Sequence, residues 1–134
     1  MWNPQGVGSP DLAGNHTADY WPGPASVDIV ADDLYSIRFN ADFAAMDAMY
    51  ARYGAKPFVV AEWAPWGTDD PAFVRRMFEW VAAHPRTAGL VYFDRGWSGG
   101  AGTFRLATKP KSLVRARAAT SRGCREVCRF APSS

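Results

Sequence analysis

Three short apolar runs begin at positions 27, 58 and 89, and the equal spacing of 31 residues constrains this chain more than any other feature. The runs are Val27-Asp28-Ile29-Val30-Ala31, Phe58-Val59-Val60-Ala61 and Gly89-Leu90-Val91-Tyr92-Phe93. They are nearly continuous rather than alternating, the pattern of parallel strands covered on both faces. Helical periodicity fills the gaps. After Asn40 as N-cap, Phe43, Met46, Tyr50 and Tyr53 mark one face, and Gly54 suits the C′ position. After Asp70 as N-cap and Pro71 at the first helical position, Val74, Met77, Phe78 and Val81 repeat the stripe until His84-Pro85 ends it. A weaker last helix is predicted from Ser112 to about Ala119, after the break at Pro110. Strand and helix alternating at a fixed period predict βα units and a parallel sheet, an α/β fold.

Two parallel architectures compete. An open doubly wound sheet usually carries a glycine-rich phosphate turn after its first strand. Here the segments after the apolar runs carry acids and aromatics instead: Asp32-Asp33-Leu34-Tyr35, Glu62-Trp63-Ala64-Pro65-Trp66 and Asp94-Arg95-Gly96-Trp97. Such residues at every strand's C-terminal end suit the catalytic face of a (β/α)8 TIM barrel, which is the preferred expectation. One period before Asp33 lies Trp2, so Met1-Trp2-Asn3-Pro4 falls where an earlier strand would end.

Composition excludes some classes. Nearly half of the 134 residues are apolar (48%) and 14% are aromatic, enough for one packed domain and unlike a disordered chain. No apolar run approaches the roughly 18 residues of a membrane span, so no membrane partner is expected. No basic and apolar leader follows Met1, so no signal peptide is read. Residues 1–104 carry seven Lys/Arg against twelve Asp/Glu, and residues 105–134 carry eight against one. That division sets a body, 1–120, against a basic tail, 121–134. A basic tail can meet nucleic acid. The aromatics lie in the acidic body, however, and no recognition motif is present, so nucleic acid is not an expected partner. Cys124 and Cys128 can form a small disulfide or remain thiols; with no second pair, and His16 and His84 remote, no metal site is expected. Asn15-His16-Thr17 matches a glycosylation sequon, a frequent chance match.

Glu62 closes the run Pro57-Phe58-Val59-Val60-Ala61. A carboxylate adjoining a buried strand either pairs in the interior or faces a cleft, and no arginine lies in the same turn to pair with it. Glycoside hydrolysis with retention needs one carboxylate as nucleophile and a second carboxyl about 5–5.5 Å away as acid and base. Trp63, Trp66 and Trp97 are placed to stack on sugar rings, with ordinary loop packing as the competing use of each.

Lys56-Pro57-Phe58-Val59-Val60-Ala61-Glu62 resembles the seventh strand of barrel glycosidases of the clan that includes glycoside hydrolase family 26. Trp2-Asn3-Pro4 is similar to the end of that family's fifth strand. Tyr20-Trp21-Pro22-Gly23, Val27-Asp28-Ile29-Val30 and Asp33-Leu34-Tyr35 resemble the lead into its sixth strand and that strand's end, and Gly89-Leu90-Val91-Tyr92-Phe93-Asp94 its eighth. The match runs from residue 2 to about 118. By this resemblance Glu62 is the nucleophile and Tyr35 the tyrosine that orients it. Trp97, or less so Trp66, supplies an aromatic wall, and Trp2, Trp63 and Asp94 complete the substrate-contact candidates. The implied partner is a β-linked polysaccharide or oligosaccharide, mainly β-mannan, with no cofactor or metal; family members are generally secreted.

The family's acid/base glutamate ends its fourth strand, upstream of anything here. Asp33 and Asp94 do not occupy its position, and Glu79 belongs to an outer helix. A whole barrel takes about 250 residues, so the expectation is a half-barrel carrying a nucleophile without its acid. Such a chain is a truncated product, pairs with a second copy or a missing half, or is a mis-called fragment; the start at Met1 favours truncation or mis-calling. The competing expectations are a non-catalytic carbohydrate-binding or structural fragment, and an unrelated small α/β domain.

Overall fold

The computed structural model describes residues 1–6, 10, 12–96 and 102–127, the stretch 122–127 as backbone only, so the Cys124–Cys128 pairing falls outside it. Three strands, β1 (Val30–Ile37), β2 (Phe58–Trp66) and β3 (Thr87–Tyr92), form one parallel sheet in the order β1-β2-β3. Helix α1 (Phe43–Arg52) follows β1, α2 (Pro71–Ala83) follows β2, and α3 (Pro110–Val127) follows β3. A stub precedes them: Trp2 bridges Val30 in parallel, its N–H donating to the Ile29 carbonyl at 2.9 Å and its carbonyl accepting from Ala31 at 2.8 Å. The chain is therefore α/β, with strands adjacent in sequence adjacent in space.

All three helices contribute to one hydrophobic cluster. Val30 and Leu34 of β1 and Phe58, Val60 and Trp63 of β2 meet Phe43 and Met46 of α1, Phe73, Val74 and Met77 of α2, and Ala116 of α3. Burying each large side chain of this kind stabilises the fold by roughly 1.5–3 kcal/mol. On α1 the buried stripe is Phe43, Met46 and Met49, with Tyr50 partly covered. The expected cap Asn40 is not used; Asp42 accepts the Ala45 N–H at 2.9 Å, closer to the first turn. On α2 Asp70 is the cap, and Pro71 opens the helix.

Two neighbouring acids join sheet and helices. Asp70 accepts from the Phe73 N–H at 3.0 Å and from the buried Ser36 hydroxyl at 2.6 Å, which pins α2 to the end of β1. Asp69 accepts from the N–H groups of Lys111 (3.0 Å) and Ser112 (2.8 Å) and the Ser112 hydroxyl (2.6 Å), so it caps α3 from a distance. Desolvation would raise the Asp69 pKa, but these bonds and the Lys111 charge hold it below the usual range.

The elements differ from expectation at their ends. β1 and β2 continue through Tyr35 and Glu62, residues expected past the apolar runs at the strand ends, because alternation takes over where those runs stop: Leu34, Ser36, Trp63 and Pro65 are buried on the helix side. Helix α3 runs past the expected end at Ala119 and through the boundary at 120. Its residues are mostly helix-tolerant and no proline follows Pro110 in it.

Candidate functional site

A bulge decides which face Glu62 occupies. In the β1–β2 ladder Asp32 pairs with Val60, but Asp33 pairs with Glu62, so β2 carries one extra residue at Ala61. Without it Glu62 would share the helix-side face of Val60, since alternate residues share a face. With it, Glu62 lies beside Asp33 and Tyr35 on the opposite face, and Trp63 turns toward the helices.

Tyr35 donates its phenolic hydroxyl to Glu62 Oε2. Burial, that bond, and the charges of Glu62 and Asp33 push the phenol well above its ordinary range, so it stays protonated and donating. Asp33 accepts from the Asn3 side-chain amide at 3.1 Å and pairs with Glu62 in the ladder. Burial raises the Asp33 pKa; the Asn3 hydrogen bond and the nearby Glu62 backbone N–H oppose the rise, and the Glu62 charge adds to it. The four groups thus form a chain: Asn3, Asp33, Glu62, Tyr35.

Aromatics wall one side of it. Phe104 lies 5.3 Å from Tyr35, 4.8 Å from Trp66 and 5.0 Å from Phe93, measured between ring centroids, and Phe93 is 6.0 Å from Tyr35. Phe104 is brought there by backbone geometry. Gly67 and Gly102 both have positive φ (71° and 94°), and a Cβ on Gly102 would stand 3.1 Å from the Gly67 Cα. That close approach lets Gly67 N–H reach the Thr103 carbonyl at 3.1 Å. Buried Lys109 donates to the same carbonyl at 2.6 Å, and the Tyr92 hydroxyl donates to the Phe104 carbonyl at 2.7 Å. Burial lowers the Lys109 pKa, with Asp69 and Asp94 opposing.

Of the residues singled out in the sequence, Glu62, Tyr35 and Trp66 come together here. Trp63 does not. It is 3% exposed on the helix side, its ring 5.0 Å from Tyr92, 5.8 Å from Phe78 and 5.9 Å from Phe73, so it is a core residue and not a sugar platform. Trp2 likewise leaves the site: paired with Val30 it shares the helix-side face, packed on Trp21 (4.8 Å) and Tyr53 (5.1 Å). Asp94 is exposed and accepts the Leu106 N–H at 2.7 Å, which ties down the 3-10 turn Leu106–Thr108. Trp97 lies outside the described residues. Asn3, Phe93 and Phe104 had no sequence signal of their own; Asp33 had one, its strand-end position, and it sits beside Glu62 with its carboxylate bound to Asn3.

The sequence matches no protein-family model and no curated protein.

Proposed function

We propose that this chain is part of a retaining β-glycanase of the mannanase-like kind, with Glu62 as its nucleophile and Tyr35 as the residue that orients it. The observation that carries the reading is the Tyr35–Glu62 hydrogen bond, made across two parallel strands inside an aromatic wall. A nucleophilic carboxylate needs one oxygen held and the other free to attack an anomeric carbon. Sequential parallel strands with their helices on one side support the finer fold, a segment of a (β/α)8 barrel. In that segment the face bearing Glu62 is the barrel's interior, and the missing half or a second copy completes it. A β-linked glycan is the substrate; half-buried Trp66 offers it an apolar ring face, backed by the buried Phe104.

The second reading, a non-catalytic carbohydrate-binding fragment, draws on a different observation. Among the described residues the acid paired beside Glu62 is Asp33, which is already bound to Asn3. General acid catalysis is typically worth about 10²–10⁴ in rate, so natural glycans should turn over very slowly.

A 2,4-dinitrophenyl 2-deoxy-2-fluoro-β-mannoside separates the two, because its leaving group departs without a proton. Intact mass should rise by one fluorosugar, mapped to Glu62, and Glu62→Gln should abolish the label. A folded protein that stays unlabelled with both the manno and the gluco probe has no nucleophile at this position. Tyr35→Phe should still label, but about 10–100-fold more slowly, since a hydrogen bond to a charged group is worth roughly 1.5–3 kcal/mol. An unchanged labelling rate would remove Tyr35 from its orienting role.

A further inference from the structure

Asp32 and Asp33 are neighbours on β1 and so leave the strand on opposite sides. Asp33 faces Glu62; Asp32, 2% exposed, is buried on the helix side. Both hold the same short segment. Asn3 donates to Asp33 at 3.1 Å, while the Gly6 N–H donates to Asp32 Oδ1 at 2.8 Å, the oxygen that also accepts the Asp33 N–H at 2.9 Å. Gly6 lies so close that a Cβ there would stand 3.0 Å from Asp32 Oδ2 and 3.5 Å from the Ala45 Cβ.

We propose that Asp32 is a positioning residue that, from behind the sheet, clasps residues 3–6 against β1 and so keeps Asn3 on Asp33, beside Glu62. The inference rests on the reading of Glu62 as nucleophile only in its labelling readout; the clasp itself is independent of that reading.

The clasp responds to pH. Within residues 1–6, β1 and α1, the charges that reach Asp32 are those of Asp33 and of Asp42 at the α1 cap, both acidic. Burial, opposed in part by the two backbone hydrogen bonds, pushes its carboxyl up to about 7. An open clasp exposes Asp32 to water, near its ordinary value of 3.8. The closed form therefore binds the proton more tightly, is fully favoured below the ordinary value, and loses that advantage as pH rises to about 7. The shift toward the open form is at most about tenfold per pH unit across that window.

The test is the full ¹⁵N-labelled chain followed by NMR from pH 4 to 8, reading the Gly6 and Asp33 backbone amides and the Asn3 side-chain amide. All three should share one midpoint, above the ordinary value of 3.8 and no higher than about 7, set by the cost of opening. In Asp32→Asn the Asn3 signal should keep its low-pH position throughout, and in Gly6→Ala it should take the high-pH position at every pH. The rate of Glu62 labelling should fall through the same midpoint in the wild-type chain, by at most about tenfold per pH unit, and Asp32→Asn should remove that fall. An Asn3 signal that titrates in Asp32→Asn as it does in the wild type would overturn the clasp, because Asp33's own ionisation would then govern it. If the three signals behave as stated and no label forms, the clasp is upheld and the reading of Glu62 alone fails.

Discussion

Trp63→Ala should lower the free energy of unfolding by about 3–5 kcal/mol, the usual cost of emptying a large aromatic site in a core. Trp63 is 3% exposed and its ring contacts reach α2 through Phe73 and Phe78 and the neighbouring strand through Tyr92, so no one segment can collapse into the space. Its indole N–H is buried with no partner. Trp63→Phe should accordingly be much milder, because it removes an unsatisfied donor, itself worth roughly 1–3 kcal/mol, along with some packing. Urea denaturation followed by far-UV circular dichroism measures both. An alanine variant within 1 kcal/mol of wild type would return Trp63 to the surface role its sequence suggested.

That suggestion failed for a physical reason. Glu62, Trp63 and Trp66 look equivalent in the sequence, all just past an apolar run. Which of them faces the helices is set by the bulge at Ala61, a property of the register between two strands. Periodicity within one segment carries no signal of it. The repeat itself was legible because each βα unit must bury a strand and a helix stripe, and that requirement spaces apolar runs evenly. Asp70-Pro71 was legible because capping is local. Asn3 and Phe104 were not, since each reaches the site through contacts distant in sequence: the Trp2–Val30 bridge for one, the Gly67–Gly102 approach for the other. Trp2, one period before Asp33 in the sequence, bridges the first strand at Val30 instead, and its side chain follows Val30 to the helix side.

Asp32→Asn should stabilise the chain at pH 8 and leave it nearly unchanged near pH 4. Asn can still accept the Gly6 and Asp33 N–H bonds through its carbonyl oxygen, while removing the buried charge. The sign follows from the raised pKa: the wild type is most stable with Asp32 protonated, and loses up to about 1.4 kcal/mol per pH unit as pH climbs from the ordinary carboxylate value toward about 7. Asp33, also raised, acts in the same direction, and Asp69, lowered, contributes stability that is lost as pH falls. Both are shared by the two proteins, so the difference between their denaturation curves at pH 4, 6, 7 and 8 isolates Asp32. Its ceiling is on the order of 4 kcal/mol, for a carboxylate that meets water only when the whole chain unfolds. A clasp that opens locally gives Asp32 a less costly way to water, and the difference should then level off below that ceiling, near 2 kcal/mol, at a height equal to the cost of opening. Reaching the full value would mean that residues 3–6 stay shut over an ionised Asp32, and the pH response of the clasp would be lost.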